Sequence, residues 1–336
     1  MLMKLLEKNS YFVSFFIALL IPFLINRPDY LSLFVITMIY ILLALGLNIV
    51  VGFCGLLALG FAAFYGIGAY ITAILMVKFG FTFFPALLFV IIGSGLIGLV
   101  SGLPVIRLRG DYLAIVTLGM GEITRIFFNN YESLTNGPKG ISNISNPGFF
   151  WISFNTPVRL YYLLLVIVGI SVFLIRNIEN SKIGRSWISI REDEIAASSI
   201  GVNITKMKLF AFILGSILAG IAGFLFAQVQ TFVSPDSFTF LDSAMILCAV
   251  VLGGMGSIPG VIIGSIVLIL IPEMLRDIMP GFADYRMLFF GLILIAMILY
   301  RPQGMFPNSR RKAELLPVSE TIKNEEDESL AEERRR

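Results

Sequence analysis

The chain has 336 residues, of which 57% are hydrophobic and only 14% are charged. Because a soluble domain carries roughly 25% charged residues, this composition excludes a soluble globular protein. The formal net charge of +3 says little about partners, since the placement of Lys and Arg in a membrane protein matters more than their sum. No nucleic-acid partner is expected. The sequence has no histidine, which excludes histidine bases, histidine proton relays and histidine metal ligands.

Ten apolar segments follow one another along the chain, and many approach the roughly 20 residues that a helix needs to cross a membrane. They cover residues 10–26, 30–50, 56–77, 82–103, 112–128, 158–175, 207–227, 240–254, 259–279 and 285–300. Backbone polar groups in lipid must be satisfied within the segment, which favours helices, and the alternating polarity of a β-barrel is absent. The sequence therefore predicts an all-α polytopic membrane protein with about ten (8–10) transmembrane helices.

Basic residues between these segments predict the orientation. They form four groups: Lys4 and Lys8; Arg107 and Arg109; Arg176, Lys182, Arg185, Arg191, Lys206 and Lys208; and Arg301, Arg310, Arg311 and Lys312. With ten spans, all four groups lie on one side of the membrane. Because basic loops stay inside, we expect that side and both termini to be cytoplasmic.

Two polar loops interrupt the predicted transmembrane domain, which covers residues 1–306. The outer loop, residues 129–157, is rich in Asn, Ser, Gly and Pro, whereas the inner loop, residues 177–205, is highly charged. Residues 307–336 alternate acidic and basic runs, which predicts a disordered cytoplasmic tail.

The inner loop also contains helix-end signals. Ser189 and Glu192 match a capping box, and Gly201 matches a left-handed helix stop. Together they predict one helix over residues 190–200, with three acidic residues in its first turn. Such a helix suits the docking of a soluble partner, and an interfacial helix lying on the membrane is the alternative.

Glu122 and Arg125 lie inside the fifth apolar segment. Their spacing of three residues lets them pair on one helix face. Since each charge costs roughly 2.5–3.5 kcal/mol at the centre of a span, they are predicted to face the bundle interior or a water-filled path. The alternative is that Arg125 extends its side chain outward to the interface.

Two further patterns concern nucleotides and packing. The sequence has no P-loop motif, so any ATP that powers this protein binds to a partner. Small residues recur four positions apart, which predicts closely packed helices. The pairs and triplet are Gly98/Gly102, Ser216/Gly220, Ala219/Gly223 and Gly256/Gly260/Gly264.

Six segments carry a resemblance to a known family. They begin at Gly46, Leu108, Leu134, Gly184, Val251 and Arg301, and cover residues 46–70, 108–125, 134–141, 184–203, 251–260 and 301–304. Together these segments resemble the permeases of branched-chain amino acid ABC transporters, and most closely the M-type subunit of the Liv importer family. The sequence departs from the family pattern at Cys54, Leu56 and Leu57, near the expected path.

The resemblance implies a type II importer-like permease bundle in a bacterial inner membrane. It implies a sister permease as heterodimer partner, two ABC ATPases that hold ATP and magnesium, and an extracytoplasmic substrate-binding protein. No cofactor or metal is expected in this chain itself, and it is expected to be a transport subunit rather than an enzyme.

The matched positions also supply candidate functional residues. The expected ATPase-coupling residues are Gly184, Arg185, Arg191, Glu192, Asp193, Glu194, Ala196, Ala197 and Gly201. The expected translocation path includes Asn48, Gly52, Gly60, Gly66, Gly110, Glu122 and Arg125. The residues expected to face the binding protein are Thr135, Asn136, Gly137, Pro138 and Gly140.

Three alternatives remain at the level of sequence. The same architecture could carry urea or short amides, because the cargo pocket cannot be identified from sequence. An ion-coupled carrier would need an intramembrane acid, for which Glu122 is the main candidate. A membrane-bound enzyme has the least support, since no nucleophile–base or metal-ligand arrangement is evident.

Overall fold

A computed structural model describes residues 18–22, 28–108, 110–149, 152–154, 156–278, 291, 292, 295, 299 and 304–306. Helices dominate these ranges. The predicted tail lies outside the described residues, as do most of the first and last predicted segments, residues 10–26 and 285–300.

The first half of the fold consists of four long helices. They are α1 (Pro28–Leu47), α2 (Ala62–Ala73), α3 (Phe83–Val105) and α4 (Asp111–Asn130). Two of them change their hydrogen-bonding register at the C-terminal end. α1 continues as a π-helix over Asn48–Phe53, and α2 continues as one over Ile74–Lys78.

The second half adds further helices and four short strands. The helices are α5 (Glu132–Thr135), α6 (Pro157–Glu179), α7 (Lys182–Glu192), α8 (Glu194–Ser199), α9 (Ile204–Gln230), α10 (Phe240–Gly253) and α11 (Ile258–Ile278). The strands are β1 (Ile141–Ser142), β2 (Gly148–Phe149), β3 (Ile152–Ser153) and β4 (Phe232–Val233). β1 pairs antiparallel with β4, and β2 pairs antiparallel with β3.

Helix α9 lies at the centre and packs against α1, α2 and α3. Its contacts depend on small side chains. A Cβ atom on Gly68 of α2 would overlap the backbone of Gly220, and one on Gly98 of α3 would overlap the side chain of Ser216. The prediction of closely packed helices at these small residues is therefore confirmed.

Five described helical stretches are long and apolar enough to cross a membrane. They are Asp29–Phe53, Phe83–Val105, Pro157–Glu179, Ile204–Gln230 and Pro235–Gly253. Two apolar helices, Ala62–Lys78 and Ile258–Met274, are shorter. The fifth predicted segment forms α4, which is not among the five, so the count of about ten spans stays a prediction.

The predicted segment over residues 56–77 starts too early. The helix begins only at Ala62, and residues 54–61 form an irregular connection after the π-helical end of α1. Gly55 in this connection has a φ of +75°, a conformation that suits glycine. Its apolar composition resembles that of a helix, but the backbone turns to contact α4 instead.

Acidic Asp242 has a structural role at the start of α10. Its Oδ2 accepts hydrogen bonds from the backbone N–H and the hydroxyl of Thr239, at 2.9 and 2.7 Å. A carboxylate in the first helical turn is also favoured by the helix dipole. Asp242 therefore stabilises the helix end.

The close approach of α2 and α9 gives a stability prediction. The substitution Gly68→Ala places a methyl group against the backbone of Gly220, and we expect such overpacking to cost about 1–3 kcal/mol. The matched control is Gly119→Ala in α4, where a Cβ would meet no atom within 4 Å. Alanine there should be neutral or stabilising by up to about 1 kcal/mol. Thermal unfolding of both purified variants checks this, and equal midpoints would contradict it.

Candidate coupling and transport site

The inner loop contains two short helices rather than the single helix predicted over residues 190–200. α7 begins after Ser181, whose Oγ accepts a hydrogen bond from the backbone N–H of Ile183 at 3.1 Å. Ser189, the predicted cap, lies inside α7 and donates to the carbonyl of Ser186 at 2.9 Å. The prediction of a capping box at Ser189 is therefore wrong.

Burial of Trp187 explains why α7 continues past Ser189. The Trp187 side chain is fully buried, and its Nε1 donates to the carbonyl of Met207 at 2.8 Å. Its ring also stacks on Phe210 of α9. These tertiary contacts keep this turn helical and override the local capping signal.

Helix α7 ends before Asp193, which is the N-terminal cap of α8. Its backbone is extended, and its Oδ1 accepts hydrogen bonds from the N–H groups of Ile195 and Ala196 at 2.7 and 3.0 Å. The charge also suits the N-terminal end of a helix. Gly201, with a φ of +87°, follows as the predicted left-handed stop. α8 is thus a short helix with a defined start and end.

A buried ion pair joins α8 to α9. Lys208 Nζ lies 2.8 Å from Glu194 Oε1, and the two side chains are 3% and 24% exposed. Because an ammonium group removed from water needs a partner, this pair holds α8 against the bundle. Glu194 therefore points towards α9, and Lys208 is a functional candidate that the sequence analysis used only as a marker of orientation.

The other predicted coupling residues divide into buried and exposed groups. Gly184 and Ala197 are buried, whereas Arg185, Glu192, Asp193 and Ala196 are exposed. Two large apolar side chains on α8 and its C-cap also face outward. Ile195 is 69% exposed and Ile200 is 75% exposed. The inner loop thus presents an apolar surface on a helix that is anchored from behind.

Arg191, in the last turn of α7, points into the bundle. Its Nη1 donates to the carbonyl of Gly52 at 2.8 Å. Gly52 lies at the C-terminal end of the π-helix, where backbone carbonyls lack partners within the helix and favour a positive charge. The stem of Arg191 passes over Gly55, where an added Cβ would lie 2.7 Å from Arg191 Cγ.

Asn48 and Gly256 complete this arrangement. The fully buried Asn48 Oδ1 accepts a hydrogen bond from the backbone N–H of Gly256 at 2.8 Å. An added Cβ on Gly256 would lie 3.0 Å from Arg191 Nη1, and one on Gly52 would lie 2.5 Å from the nitrogen of Gly256. We call these five residues, Asn48, Gly52, Gly55, Arg191 and Gly256, the Arg191 cluster.

Segments far apart in the sequence converge around this cluster. Gly304 also reaches this region, since an added Cβ there would overlap the backbone of Gly254. Next to it, the N–H groups of Met305 and Phe306 donate to the carbonyls of Leu252 and Gly253 at 2.9 and 3.0 Å. Four of the six segments that carry the family resemblance therefore meet at one place. Sequence spacing gives no sign that Asn48 and Gly52 meet Arg191, although all three lie in those segments.

Gly60 has a different role from Asn48 and Gly52. An added Cβ on Gly60 would overlap the carbonyl of Thr117 in α4, and the N–H of Leu59 donates to Thr117 Oγ1 at 3.0 Å. The irregular connection after α1 is thus fastened to α4. Beside this contact lies a shallow cleft that Glu122 lines.

The cleft has mostly small and apolar walls. They are Leu59, Gly60, Ala62, Ala63, Leu118, Gly121, Phe238, Thr239, Phe240 and Ser243. Glu122 and Arg125 form the predicted ion pair, with 3.0 Å between Oε2 and Nε, and both side chains are about one-third exposed at 37% and 34%. Gly60 and Glu122 thus line the same cleft, and their role in a transport path stays a prediction.

The remaining path candidates, Gly66 and Gly110, lie elsewhere. Gly66 packs against the rings of Phe238 and Phe128, where an added Cβ would lie 3.0 and 3.2 Å away. Gly110 is exposed, has a φ of +55° and precedes the first residue of α4. Its role in the structure is to start that helix.

The residues predicted to face the binding protein form a turn that is stabilised by local hydrogen bonds. Thr135 is buried and donates to the carbonyl of Phe128 at 2.7 Å, while Asn136 Nδ2 donates to the carbonyl of Gly140 at 2.8 Å. Gly137 and Gly140 are also buried, and Pro138 is exposed. The residue pattern therefore shapes the outer loop, with only Asn136 and Pro138 of the five presented outward.

Among the described residues, no group of three or more Cys, Asp or Glu side chains is placed to hold a metal ion. The described residues do show an exposed apolar surface on α8, a hydrogen bond from Arg191 into the bundle and a cleft between helices.

Comparisons with known proteins identify the family of the chain. Residues 30–298 match the family model described as the branched-chain amino acid transport system / permease component. No solved structure matches the chain.

Curated relatives cover most of the chain. It is 43% identical to the high-affinity branched-chain amino acid transport system permease protein LivM of Salmonella typhimurium, over 89% of this chain and 75% of the relative. Identity to LivM of Escherichia coli K12 is 42%, over 90% of this chain and 76% of the relative. LivH of Salmonella typhimurium is 28% identical over 79% of this chain and 90% of its own length. The chain therefore belongs to the family of permease components of branched-chain amino acid transport systems.

Proposed function

We propose that this chain is the M-type permease of an ATP-driven importer for leucine, isoleucine and valine in a bacterial inner membrane. Similarity to LivM supports this function, and the weaker similarity to LivH supports pairing with a related sister permease. Two ATPases bind ATP and magnesium on the cytoplasmic side, and an extracytoplasmic binding protein delivers the amino acid. Transport then follows by alternating access, since the partners favour different states of the bundle.

The observation that carries this proposal is the anchored α8. Asp193 caps its start, the Lys208–Glu194 ion pair holds it to α9, and Ile195 and Ile200 stay exposed. An aliphatic side chain gains roughly 1.5–3 kcal/mol when fully buried, so these residues offer a soluble ATPase a compact docking surface. The anchoring then transmits the partner's movement to the bundle.

Docking through α8 can be tested by co-purification. We expect Ile195→Asp to reduce the amount of ATPase recovered with the tagged chain by at least about tenfold, since the lost burial exceeds 1.4 kcal/mol. Ile195→Leu keeps the apolar surface and should recover the ATPase normally. Equal recovery with both variants would contradict cytoplasmic docking at this helix.

The ion pair behind α8 gives an asymmetric stability prediction. Glu194→Ala leaves the buried Lys208 ammonium without its partner, which costs roughly 3–5 kcal/mol for a fully buried pair and less here because Glu194 is partly exposed. Lys208→Met removes the buried charge and leaves a carboxylate that water can reach. We therefore expect Glu194→Ala to lower the unfolding temperature more than Lys208→Met does. The reverse order would show that the pair does not hold α8.

We propose that the outer loop receives the binding protein. Its turn is fastened to the bundle by Lys78, whose Nζ donates to the carbonyls of Ser133 and Leu134 at 2.7 and 2.8 Å. Pairing of β1 with β4 adds a second attachment. Asn136 and Pro138 are exposed on this fastened turn, and we propose that they contact the loaded binding protein.

The cargo and the energy source are tested by uptake in cells that express the complete system and lack other leucine carriers. We expect radiolabelled leucine uptake to persist when an uncoupler collapses the proton gradient while ATP is maintained, and to stop when ATP is depleted. Excess isoleucine or valine should compete, and urea should not. Uptake that follows the proton gradient, or competition by urea, would overturn the proposal.

A further inference from the structure

The Arg191 cluster contains features that a docking residue does not need. Arg191 belongs to the inner loop, yet it is partly buried and its guanidinium donates to the carbonyl of Gly52, in the π-helical end of α1, at 2.8 Å. Two glycines from separate segments, Gly55 and Gly256, leave space for this side chain. Room of this kind indicates that the position of the guanidinium inside the bundle matters.

The acceptor lies where α1 changes register. The backbone N–H of Cys54 donates to the carbonyl of Ile49 at 3.3 Å, and that of Leu56 donates to Val50 at 3.0 Å. These wide turns lie at the end of a π-helix, a form that is rare and frequent at functional sites. Arg191 stabilises the end of this segment by supplying a charged donor to Gly52.

The third partner is the turn between α10 and α11. Asn48 Oδ1 holds the N–H of Gly256, which has a φ of +81°. Asn48 Nδ2 is buried and has no hydrogen-bond acceptor among the described residues. Since a buried donor without an acceptor is costly, this spare donor suits a segment that takes a second arrangement of hydrogen bonds.

We propose that Arg191 is a positioning residue that ties the inner loop to the π-helical end of α1 and, through Asn48, to the turn between α10 and α11. This inference rests on the proposed function, because it assigns the route by which movement of the docked inner loop reaches the membrane helices. When α7 moves, the carbonyl of Gly52 and the N–H of Gly256 move with it. In this proposal the π-helical segment has two arrangements of hydrogen bonds, and both the docked inner loop and the membrane helices shift the balance between them.

The test separates docking from transmission. Arg191→Gln in the complete transporter should retain the ATPase and hydrolyse ATP within about twofold of the unsubstituted rate. Leucine uptake should fall at least about tenfold, the ratio that corresponds to loss of one charge-assisted hydrogen bond. Lys182→Gln removes a charge from the exposed start of the same helix and should leave uptake unchanged. Arg191→Lys keeps the positive charge and can still donate a hydrogen bond, so it should give intermediate uptake. It replaces Arg191→Gln in the test if that variant cannot be purified.

Alkylation of Cys54 provides a local readout in a Cys248→Ala background. Cys54 is 2% exposed, and burial raises the pKa of its thiol to about 12, so a maleimide should react slowly while the segment is held. In Arg191→Gln the segment is released, and we expect alkylation to accelerate at least about tenfold. Lys182→Gln should react at the original slow rate.

Two outcomes would overturn this inference. Unchanged uptake and alkylation in Arg191→Gln would show that the tie is not needed. Loss of ATPase recovery together with uptake, as expected for Ile195→Asp, would show that Arg191 serves docking instead. Failure of the unsubstituted chain to recover any ATPase would overturn the proposed function, while Cys54 alkylation in the chain alone would still report on the tie.

Discussion

Close backbone contact between helices is the constraint on which this structure depends. Lipid is as apolar as the side chains that face it, so membrane helices associate mainly through van der Waals packing and small residues. α9 meets α2 where Gly68 faces Gly220, and Gly223 packs against the backbone of Tyr65. A larger side chain at these positions would separate the helices. The positions of α2 and α3 therefore depend on glycine and other small residues at the points where these helices contact α9.

The same constraint determines where polar groups can meet. At the turn between α10 and α11, Gly253 and Gly260 pack backbone against backbone, and Gly304 fits against Gly254. Backbones that approach this closely bring carbonyl and amide groups from separate segments into a small volume. The cytoplasmic partner surface proposed for α8 thus follows directly on α7, whose Arg191 donates to the carbonyl of Gly52, while Asn48 accepts a hydrogen bond from the N–H of Gly256.

The inner loop shows how local and tertiary preferences compete. Ser189 and Glu192 have the spacing of a capping box, and Asp193 is an equally good cap. The structure uses Asp193 because Trp187 is buried against α9 and Arg191 reaches Gly52, and both contacts require α7 to stay helical up to Glu192. Helix ends depend on small free-energy differences, so tertiary packing of one large side chain is sufficient to move a boundary.

The sequence by itself determined the membrane class, the family, the helical character, the Glu122–Arg125 pair and the left-handed stop at Gly201, because composition, helical spacing and glycine conformation are local properties. Only the tertiary structure decided that Asn48, Gly52 and Arg191 belong to one cluster, that Lys208 pairs with Glu194, and that residues 54–61 are irregular. Those features join residues that lie far apart along the chain or replace one local preference by another. The free energy that stabilises these features comes from contacts between helices. The order of residues within a single helix does not indicate those contacts.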